Sequence, residues 1–307
     1  MSLRIGNYTL EKPLTSENAG FSRWGIGQRD GHDYFIKEFL SPIYPSNNAE
    51  IGSKALTNKR KICKAYEEKK LLLYNCINKC SDGNLLRIEE FFRYKSKYYI
   101  AMENINAISL DEVQKMPEKD KFRLCMILAH SLRGLHEMKI VHGDIKINNI
   151  LFYRTSSGSI SAKIIDFDTC FWEAEDISDP EELSADLLYM APETFDFIRT
   201  EEGKLTTKTD VFAMGLVFHQ IMTGELPFYD KSLYDYPFGC VLDGKSLVLS
   251  SKMSSSIMHI AISKMLVLNV EDRLNMSQVF ELLHADGEPA KTTEKKINKY
   301  FSVASDL

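Results

Sequence analysis

The first hundred residues of the chain consist largely of short runs of β-prone residues. Turn-forming residues, such as the Asp-Gly pair at 30–31, separate these runs. Short runs bounded by turn signals predict β-strands. The predicted strands cover residues 8–14, 21–27, 32–40, 85–94 and 97–104.

One polar stretch and one helix interrupt the predicted strands. Residues 41–54 are polar and carry two prolines, which predicts an exposed loop. We treat the whole of 41–60 as a loop insertion. Residues from about 61 to 75 carry apolar side chains near helical spacing and therefore predict a helix.

Helical spacing dominates after Ser109. Residues 120–139 carry leucine and isoleucine at i, i+3 and i+4 intervals, which predicts a helix with one buried face. Residues 210–223 are apolar on nearly all sides and predict a central, buried helix that ends at Gly224. The pattern as a whole predicts an α+β protein with a small β-rich domain and a larger helical one. The predicted divisions are residues 1–107, residues 108–285 and a polar tail over 286–307.

Charge and composition argue against several functional classes. The 307-residue chain has a formal net charge of -5, which argues against a broad basic surface for nucleic acid. Its apolar runs are too short or too interrupted to span a bilayer, and residues 1–10 lack an apolar signal core. Six cysteines without a C-x-x-C pair favour reduced thiols and a cytoplasmic location. A metal site at Cys76 and Cys80 is disfavoured, because no histidine near them in sequence completes it.

Residues 142–149, HGDIKINN, place charged and amide side chains between two apolar segments. A carboxylate in such a place is costly unless it has a chemical role. Further on, IIDFD at 164–168 delivers a second carboxylate from an apolar run. Two carboxylates, one amide and one lysine suit a magnesium ion together with a phosphate group. These side chains are Asp144, Asp166, Asn149 and Lys146.

These segments resemble those of the protein kinase family, in the family's order and over roughly residues 8–285. HGDIKINN resembles the catalytic loop, IIDFD the metal-binding segment, and MAPE at 190–193 the APE motif. Residues 209–228 resemble the family's buried helix, and residues 271–283 resemble its late helix. The resemblance implies a bilobal kinase fold, ATP and Mg²⁺ as cofactors, and protein substrates.

The resemblance also implies roles for residues in the second domain. Asp144 would orient the substrate hydroxyl and accept its proton, and Lys146 would contact the γ-phosphate of ATP. Asn149 and Asp166 would hold the Mg²⁺ ions. A lysine two positions after the catalytic Asp is typical of Ser/Thr-directed members. Glu193 and Arg273 resemble a buried structural ion pair.

In the first domain, Lys37 matches the family's ATP-phosphate lysine on a strand. Its predicted helix partner is Glu68, with Glu67 as the alternative. Met102 would be the gatekeeper. The backbone groups of Glu103 and Ile105 would contact adenine, and Leu14 and Gly20 would contact the nucleotide.

The chain departs from the family pattern at two nucleotide-binding segments. The phosphate-covering segment keeps Gly20 but has Thr15 and Glu17 where glycines are expected. A shifted register gives Glu17 and Ala19, with Ser22 in the last position. Asp168 replaces the glycine of the metal-binding segment, which predicts a stiffer backbone there.

Two further departures concern regulation and substrate choice. Gly143 replaces the arginine that receives an activating phosphate, which predicts activity without activation-loop phosphorylation. Asp186 replaces a threonine and is expected to pair with Lys146. The acidic segment at 169–189 suggests a preference for basic substrate sequences.

Three functions compete on these residues. The first is an active Ser/Thr protein kinase. It is favoured because all five polar catalytic positions of the family are retained, namely Lys37, Glu68, Asp144, Asn149 and Asp166. The second is a pseudokinase scaffold that binds partners or nucleotide without phosphoryl transfer, which the glycine-poor segment favours. The third is a kinase-like enzyme for a small molecule, against which the MAPE motif argues. The sequence identifies no particular substrate, upstream signal or oligomeric state.

Overall fold

The chain divides into two compact units, Met1–Asn106 and Ala107–Leu307. The computed structural model describes residues 3–17, 22–45, 53–81, 83–173, 183 and 186–284. The predicted tail at 286–307 and the predicted nucleotide contact Gly20 therefore lie outside the described residues. No helix in the described part of the chain is both long enough and apolar enough to cross a membrane.

The first unit contains a six-stranded antiparallel sheet with strand order β1-β2-β3-β4-β6-β5. A cluster of buried side chains that includes Tyr8, Ile36 and Ala101 packs on one face of it. Each predicted run contains a strand, but the run 8–14 is a strand only over 8–10, and the strand at 3–5 was not predicted. The strands are β1 (Leu3–Ile5), β2 (Tyr8–Leu10), β3 (Ser22–Arg29), β4 (His32–Phe39), β5 (Ile88–Tyr94) and β6 (Lys97–Glu103).

Helix α1 (Ser53–Cys80) packs against the other face of this sheet through aromatic side chains. Tyr66 contacts Phe39 of β4 with ring centroids 6.4 Å apart, and Tyr74 contacts Phe91 of β5 at 5.6 Å. The helix begins at Ser53, whereas the sequence predicted a loop as far as residue 60. The first turns of α1 are polar and carry little apolar periodicity, so the hydrophobic pattern could not reveal them.

The second unit is mostly helical and also carries five short strands. Its helices are α2 (Leu110–Gln114), α3 (Glu118–Glu137), α4 (Pro192–Thr200), α5 (Lys208–Thr223), α6 (Pro237–Leu242), α7 (Ser256–Met265) and α8 (Met276–His284). Its strands are β7 (Ala107–Ile108), β8 (Ile140–Val141), β9 (Ile150–Arg154), β10 (Ile160–Ile164) and β11 (Phe171–Trp172).

Helix α5 forms the centre of the second unit, as its all-round apolar sequence predicted. Thirteen of its sixteen residues are buried. It ends at Gly224, whose φ of 88° lets its N–H donate to the carbonyl of Gln220. Helix α3 packs against α5 and α8 with the face that includes Leu124, Leu128 and Leu132. These helices form the support on which the candidate site is built.

Candidate active site

The polar segment at 142–149 lies between strands β8 and β9, which bury its apolar neighbours. A single 3₁₀ turn, Ile147–Asn149, ends the segment and leads directly into β9. His142 is fully buried, and its Nδ1 accepts a hydrogen bond from the Asp144 N–H at 3.3 Å. The histidine thus has a structural role, and Asp144 is held at the surface of a rigid framework.

Three polar groups surround the Asp144 carboxylate. Lys146 Nζ lies 2.7 Å from Asp144 Oδ2, and Asn149 Nδ2 donates to the same oxygen at 2.9 Å. Asn149 Nδ2 also donates to the Asp144 backbone carbonyl at 2.8 Å. The backbone N–H of Asp186 approaches the other oxygen, Oδ1, at 3.3 Å. The structure therefore brings together three of the predicted site residues and fixes the orientation of the carboxylate.

Asp210, at the start of α5, accepts hydrogen bonds from the backbone of the segment 142–149. Its Oδ1 accepts from the Gly143 N–H at 3.0 Å, and its Oδ2 accepts from the His142 N–H at 2.7 Å. His136 Nε2 also lies 3.0 Å from Oδ2. A buried carboxylate needs such partners, because leaving it without them would cost several kcal/mol. Sequence reasoning marked Asp210 only as a helix start; its signal was a lone acid opening an otherwise apolar helix.

The IIDFD segment lies directly beside the catalytic loop. The Ile165 N–H donates to the Asn149 carbonyl at 3.0 Å, so Asp166 follows a residue that is bonded to Asn149. Asp166 has a φ of 63°, in the left-handed region. Phe167 is buried and packs edge-on against His142, with ring centroids 5.5 Å apart. These contacts fix the backbone from which the Asp166 carboxylate extends.

Asp168 stands where the family has glycine, yet its backbone carries no strain. The described residues with positive φ outside glycine include Asp166 but not Asp168. Because φ is negative at this position, aspartate adopts it without strain, and a glycine is not required.

Asn149 and Asp166 fit the oxygen chemistry of a magnesium ion. Asn149 uses its amide nitrogen on Asp144, which leaves the amide oxygen as the group oriented for a metal. Among the described residues no three Asp, Glu, His or Cys side chains form a metal-holding group. Mg²⁺ usually takes only one or two protein carboxylates and completes its shell with water and phosphate oxygens. The donor set present therefore suits Mg²⁺ held together with a nucleotide.

Lys37 lies in the middle of β4, between Trp24 of β3 and Ile100 of β6. Its predicted helix partner, Glu68, is placed differently from expectation. The Glu68 side chain is 68% exposed, and it pairs with Lys64 at 3.6 Å on the outer face of α1. The structure therefore does not support Glu68 as the partner of Lys37.

The alternative, Glu67, lies on the side of α1 that faces the sheet. Its Oε1 accepts from the Tyr98 hydroxyl at 2.8 Å and lies 3.2 Å from Arg93 Nε. Adjacent glutamates differ by 100° around a helix, so only one can face the sheet. The sequence pattern over 61–75 was too irregular to decide which one it was.

The predicted adenine-contacting segment follows strand β6. Met102, the predicted gatekeeper, is buried and pairs with Phe35 of β4. The Glu103 N–H donates to the Arg87 carbonyl at 3.1 Å. None of the described residues accepts a hydrogen bond from the Ile105 N–H. Leu14, assigned to the nucleotide, lies over Gly25, where an added Cβ would come within 2.9 Å of Leu14 Cδ2.

The glycine-poor segment is held by side-chain hydrogen bonds. The Trp24 indole N–H donates to the Glu17 carbonyl at 2.8 Å, and the Glu17 N–H donates to Thr15 Oγ1 at 3.1 Å. Thr15 and Trp24 also exchange two backbone hydrogen bonds, each of 2.8 Å. These contacts fix residues 15–17 of the segment, while Ala19 and Gly20 lie outside the described residues.

The predicted pairing of Asp186 with Lys146 does not occur. Lys146 pairs with Asp144, two residues earlier in the chain. The Asp186 side chain instead accepts from the Leu188 N–H at 3.0 Å, a local turn that Asp favours. Asp186 thus acts on the site through its backbone N–H.

Gly143 adopts a φ of 80°, and an added Cβ would lie 3.0 Å from the Thr169 carbonyl oxygen. Phe171 lies on the same side, 3.4 Å from that Cβ position, and pairs with Val141 between β11 and β8. Apolar side chains therefore occupy the region next to Gly143. This Phe171 cluster consists of Val141, Phe171, Phe197 and Leu205, with Leu183 packed against it.

The APE-like motif is anchored by a buried ion pair. Arg273 Nη1 lies 2.5 Å from Glu193 Oε1, and Arg273 Nη2 donates to Glu193 Oε2 at 3.0 Å. The Arg273 side chain has no exposed surface and also donates to the carbonyl of Val267. Such a two-point arrangement joins the start of α4 to the loop before α8.

A model of the protein kinase domain matches residues 46–283. The chain is 28% identical over 167 residues to serine/threonine-protein kinase zyg-8 of Caenorhabditis elegans, covering 52% of this chain and 20% of that relative. It is 26% identical over 298 residues to serine/threonine-protein kinase DCLK1 of Rattus norvegicus, covering 91% of this chain and 65% of that relative. The chain thus spans less than two thirds of the length of these relatives. Because the match extends over most of the sequence, this chain belongs to the protein kinase domain family and is related to its Ser/Thr kinases.

Proposed function

We propose that this protein is an Mg²⁺-dependent kinase that transfers the γ-phosphoryl group of ATP to serine or threonine hydroxyls of protein substrates. The observation that carries the proposal is the arrangement at Asp144. Lys146 and Asn149 converge on its Oδ2, while among the described residues Oδ1 meets a single backbone N–H, that of Asp186. One carboxylate oxygen is thereby oriented by the protein, and the other is the better placed to accept a proton.

The residues of the second unit divide the work of phosphoryl transfer. The oxygen of the substrate hydroxyl bonds to the γ-phosphorus, and Asp144 takes the proton that this hydroxyl loses. The bond from the γ-phosphorus to the bridging oxygen breaks, and ADP leaves with that electron pair. Lys146, 22% exposed beside Asp144, neutralises charge on the transferred group. Bound Mg²⁺ would supply charge neutralisation at the phosphates, with Asn149 and Asp166 as its protein ligands.

The nucleotide-binding residues of the first unit belong to the same proposal. Lys37 is assigned to the ATP phosphates, Met102, Glu103 and Ile105 to the adenine, and Leu14 to the face of the base. Glu67 replaces Glu68 as the glutamate of α1 that faces the sheet.

The kinase is proposed to work without activation-loop phosphorylation. Gly143 offers no guanidinium to a phosphate, and the Phe171 cluster supplies apolar contacts in that region. The acidic segment 169–189 supports, in addition, a preference for basic substrate sequences.

The test is incubation of the full chain with labelled Mg²⁺-ATP and matched basic peptides that contain one Ser, one Thr or one Tyr. Label on the Ser and Thr peptides, lost in Asp144→Ala, is the expected result. ATP binding without any transfer would instead favour a pseudokinase scaffold, the function that Thr15 and Glu17 in the phosphate-covering segment favour. Label that survives in Asp144→Ala would show that the assignment of Asp144 is wrong.

A further inference from the structure

The first half of helix α1 concentrates positive charge in an otherwise acidic protein. Five cationic residues and no acidic residue occur in the stretch 53–64, against a formal net charge of -5 for the whole chain. They are Lys54, Lys59, Arg60, Lys61 and Lys64. Like charges this close along one helix repel each other, so the stretch destabilises the isolated helix. A role for the charge outside helix stability is the simpler explanation.

These lysines are exposed and little used within the chain. Lys54, Lys59 and Lys61 are exposed, and no described carboxylate forms an ion pair with any of them. Lys64 is 75% exposed and pairs only with Glu68, on the solvent side of the helix. The positive charge is therefore available to a binding partner.

An open recess on the helix surface is lined by Lys54, Thr57, Asn58 and Lys61. Lys54 and Lys61 are seven residues apart, about two helical turns, and so point to the same side. Thr57 and Asn58 lie between them. The two ammonium groups, with the Asn58 amide between them, suit a carboxylate or another anionic oxygen group.

The same outer side of α1 becomes apolar towards its middle. Leu72 is 58% exposed. Ile62 is 56% exposed and lies about 100° around the helix from Lys61, at the edge of this side. Leu72 is eleven residues, or about three turns, after Lys61 and so shares its direction. A partner that fits this surface must therefore carry both acidic and apolar side chains.

We infer that the outer face of α1 is a docking surface for an acidic protein segment with interspersed apolar residues. The recess takes a carboxylate, and Ile62 and Leu72 contact the apolar side chains. The aromatic residues of α1 are not exposed, since Tyr66 is half-buried and Tyr74 is buried. This disfavours single-stranded nucleic acid, which usually stacks its bases on such rings. The acidic balance of the rest of the chain disfavours an anionic membrane, which would be repelled over a broad area.

The experiment measures binding of a fluorescent peptide that alternates Glu with Leu to the full chain, by anisotropy. Lys54→Gln/Lys61→Gln should weaken binding about five- to tenfold, because two partly solvated charge contacts are lost. The matched control, Lys12→Gln/Lys204→Gln, removes two exposed lysines outside α1 and should leave the affinity unchanged. Leu72→Gln should weaken binding of the Glu-Leu peptide but leave binding of a Glu-Gly peptide unchanged.

Equal losses in the two double variants would overturn the inference, since they would indicate unspecific attraction. Tighter binding of anionic vesicles or of an RNA oligomer, abolished by the same α1 substitutions, would also overturn it. Thermal unfolding of each variant reports whether the fold is intact. If the double variant unfolds, Lys54→Gln and Lys61→Gln alone should each weaken binding about two- to threefold, and no loss in either would contradict the proposal. Phosphoryl transfer is not part of this readout, so the result is independent of the proposed function.

Discussion

At the scale of single residues, the site depends on which oxygen of each carboxylate is already engaged. Asp144 Oδ2 meets Lys146 and Asn149, while both oxygens of Asp210 are used by the loop itself. The two aspartates are thus held differently, and the arrangement at Asp144 fits the chemical role that we propose for it, whereas Asp210 supports the loop. The sequence predicted Asp144 because its polar neighbours are adjacent in the chain. It could not predict the role of Asp210, whose partners are about seventy residues away.

Asp144→Asn should lower kcat about 10²- to 10⁴-fold, because an amide of the same shape cannot accept the substrate proton. The KM for ATP should change little, since Asp144 is not among the residues assigned to the nucleotide. Steady-state kinetics with a Ser peptide measure both quantities. A variant with nearly full kcat would rule out Asp144 as the base.

Gly143→Ala should lower the free energy of unfolding by about 2–4 kcal/mol. The substitution combines a positive φ with a Cβ placed 3.0 Å from the Thr169 carbonyl oxygen. Gly158→Ala is the matched control, because Gly158 has a φ of 82° with nothing within 4 Å of the added Cβ. That control should lose only about 1–2 kcal/mol. Equal losses in chemical denaturation would show that Thr169 gives way at no cost.

At the scale of helices and strands, periodic burial was predictable and polar surfaces were not. Helix α5 was predicted to within two residues, because nearly every position contributes to the apolar pattern. Helix α1 was predicted as a shorter helix, because its first turns are cationic and exposed. The sequence preferred Glu68 to Glu67, whereas the structure turns Glu68 to solvent, because the apolar residues over 61–75 are too irregularly spaced to fix which face is inward.

Glu193→Ala should lower the free energy of unfolding by about 3–5 kcal/mol, because it leaves the buried Arg273 charge without its partner. The double variant Glu193→Ala/Arg273→Met removes the charge as well and should recover part of that loss. Denaturant unfolding of the two variants beside the parent protein measures the difference. If the double variant is no more stable than Glu193→Ala, desolvation of Arg273 is not the cause.

Stability should fall as the pH drops below about 6.5, because burial lowers the pKa of His219 from its ordinary value of 6.5. His219 Nδ1 lies 2.7 Å from the Glu225 carbonyl, and Nε2 accepts from the Ser250 N–H at 2.9 Å. The unfolded chain binds the proton first, so stability is complete above its pKa and declines towards the folded pKa. Glu225, Lys252 and His259 are the neighbouring titratable groups.

His219→Gln should make the unfolding free energy less dependent on pH between about 7.5 and 5.5, since the titrating ring is absent. Unfolding curves at both pH values, for the parent and the variant, give the comparison. An unchanged pH dependence in the variant would assign it to other groups.

At the scale of the whole chain, several moderate motifs in one order identified the family, although no single motif did. Residues 46–283 match the kinase domain as a unit. The order of motifs could not predict the backbone angles and contacts of the residues that depart from the family pattern. Asp168 has a negative φ and carries no strain, Asp186 turns to Leu188, and Gly143 faces apolar side chains. These outcomes depend on backbone angles and on contacts between distant residues, which no local pattern encodes.

The departure at Gly143 and the Phe171 cluster together predict how the whole protein responds to dephosphorylation. In kinases that need an activating phosphate, the charge is held by an arginine, and its removal releases the segment. Here Phe171 packs with Val141, Phe197 and Leu205, contacts that no phosphatase can remove. Phosphatase-treated protein should therefore keep the kcat and KM of mock-treated protein within error, with intact-mass measurement showing that no phosphate remains. Phe171→Ala should, by contrast, lower kcat whether or not the protein is phosphorylated, because it opens a cavity within the Phe171 cluster and costs about 3–5 kcal/mol. Turnover that disappears with the phosphate, and returns on rephosphorylation, would mean that a cation other than the missing arginine receives it.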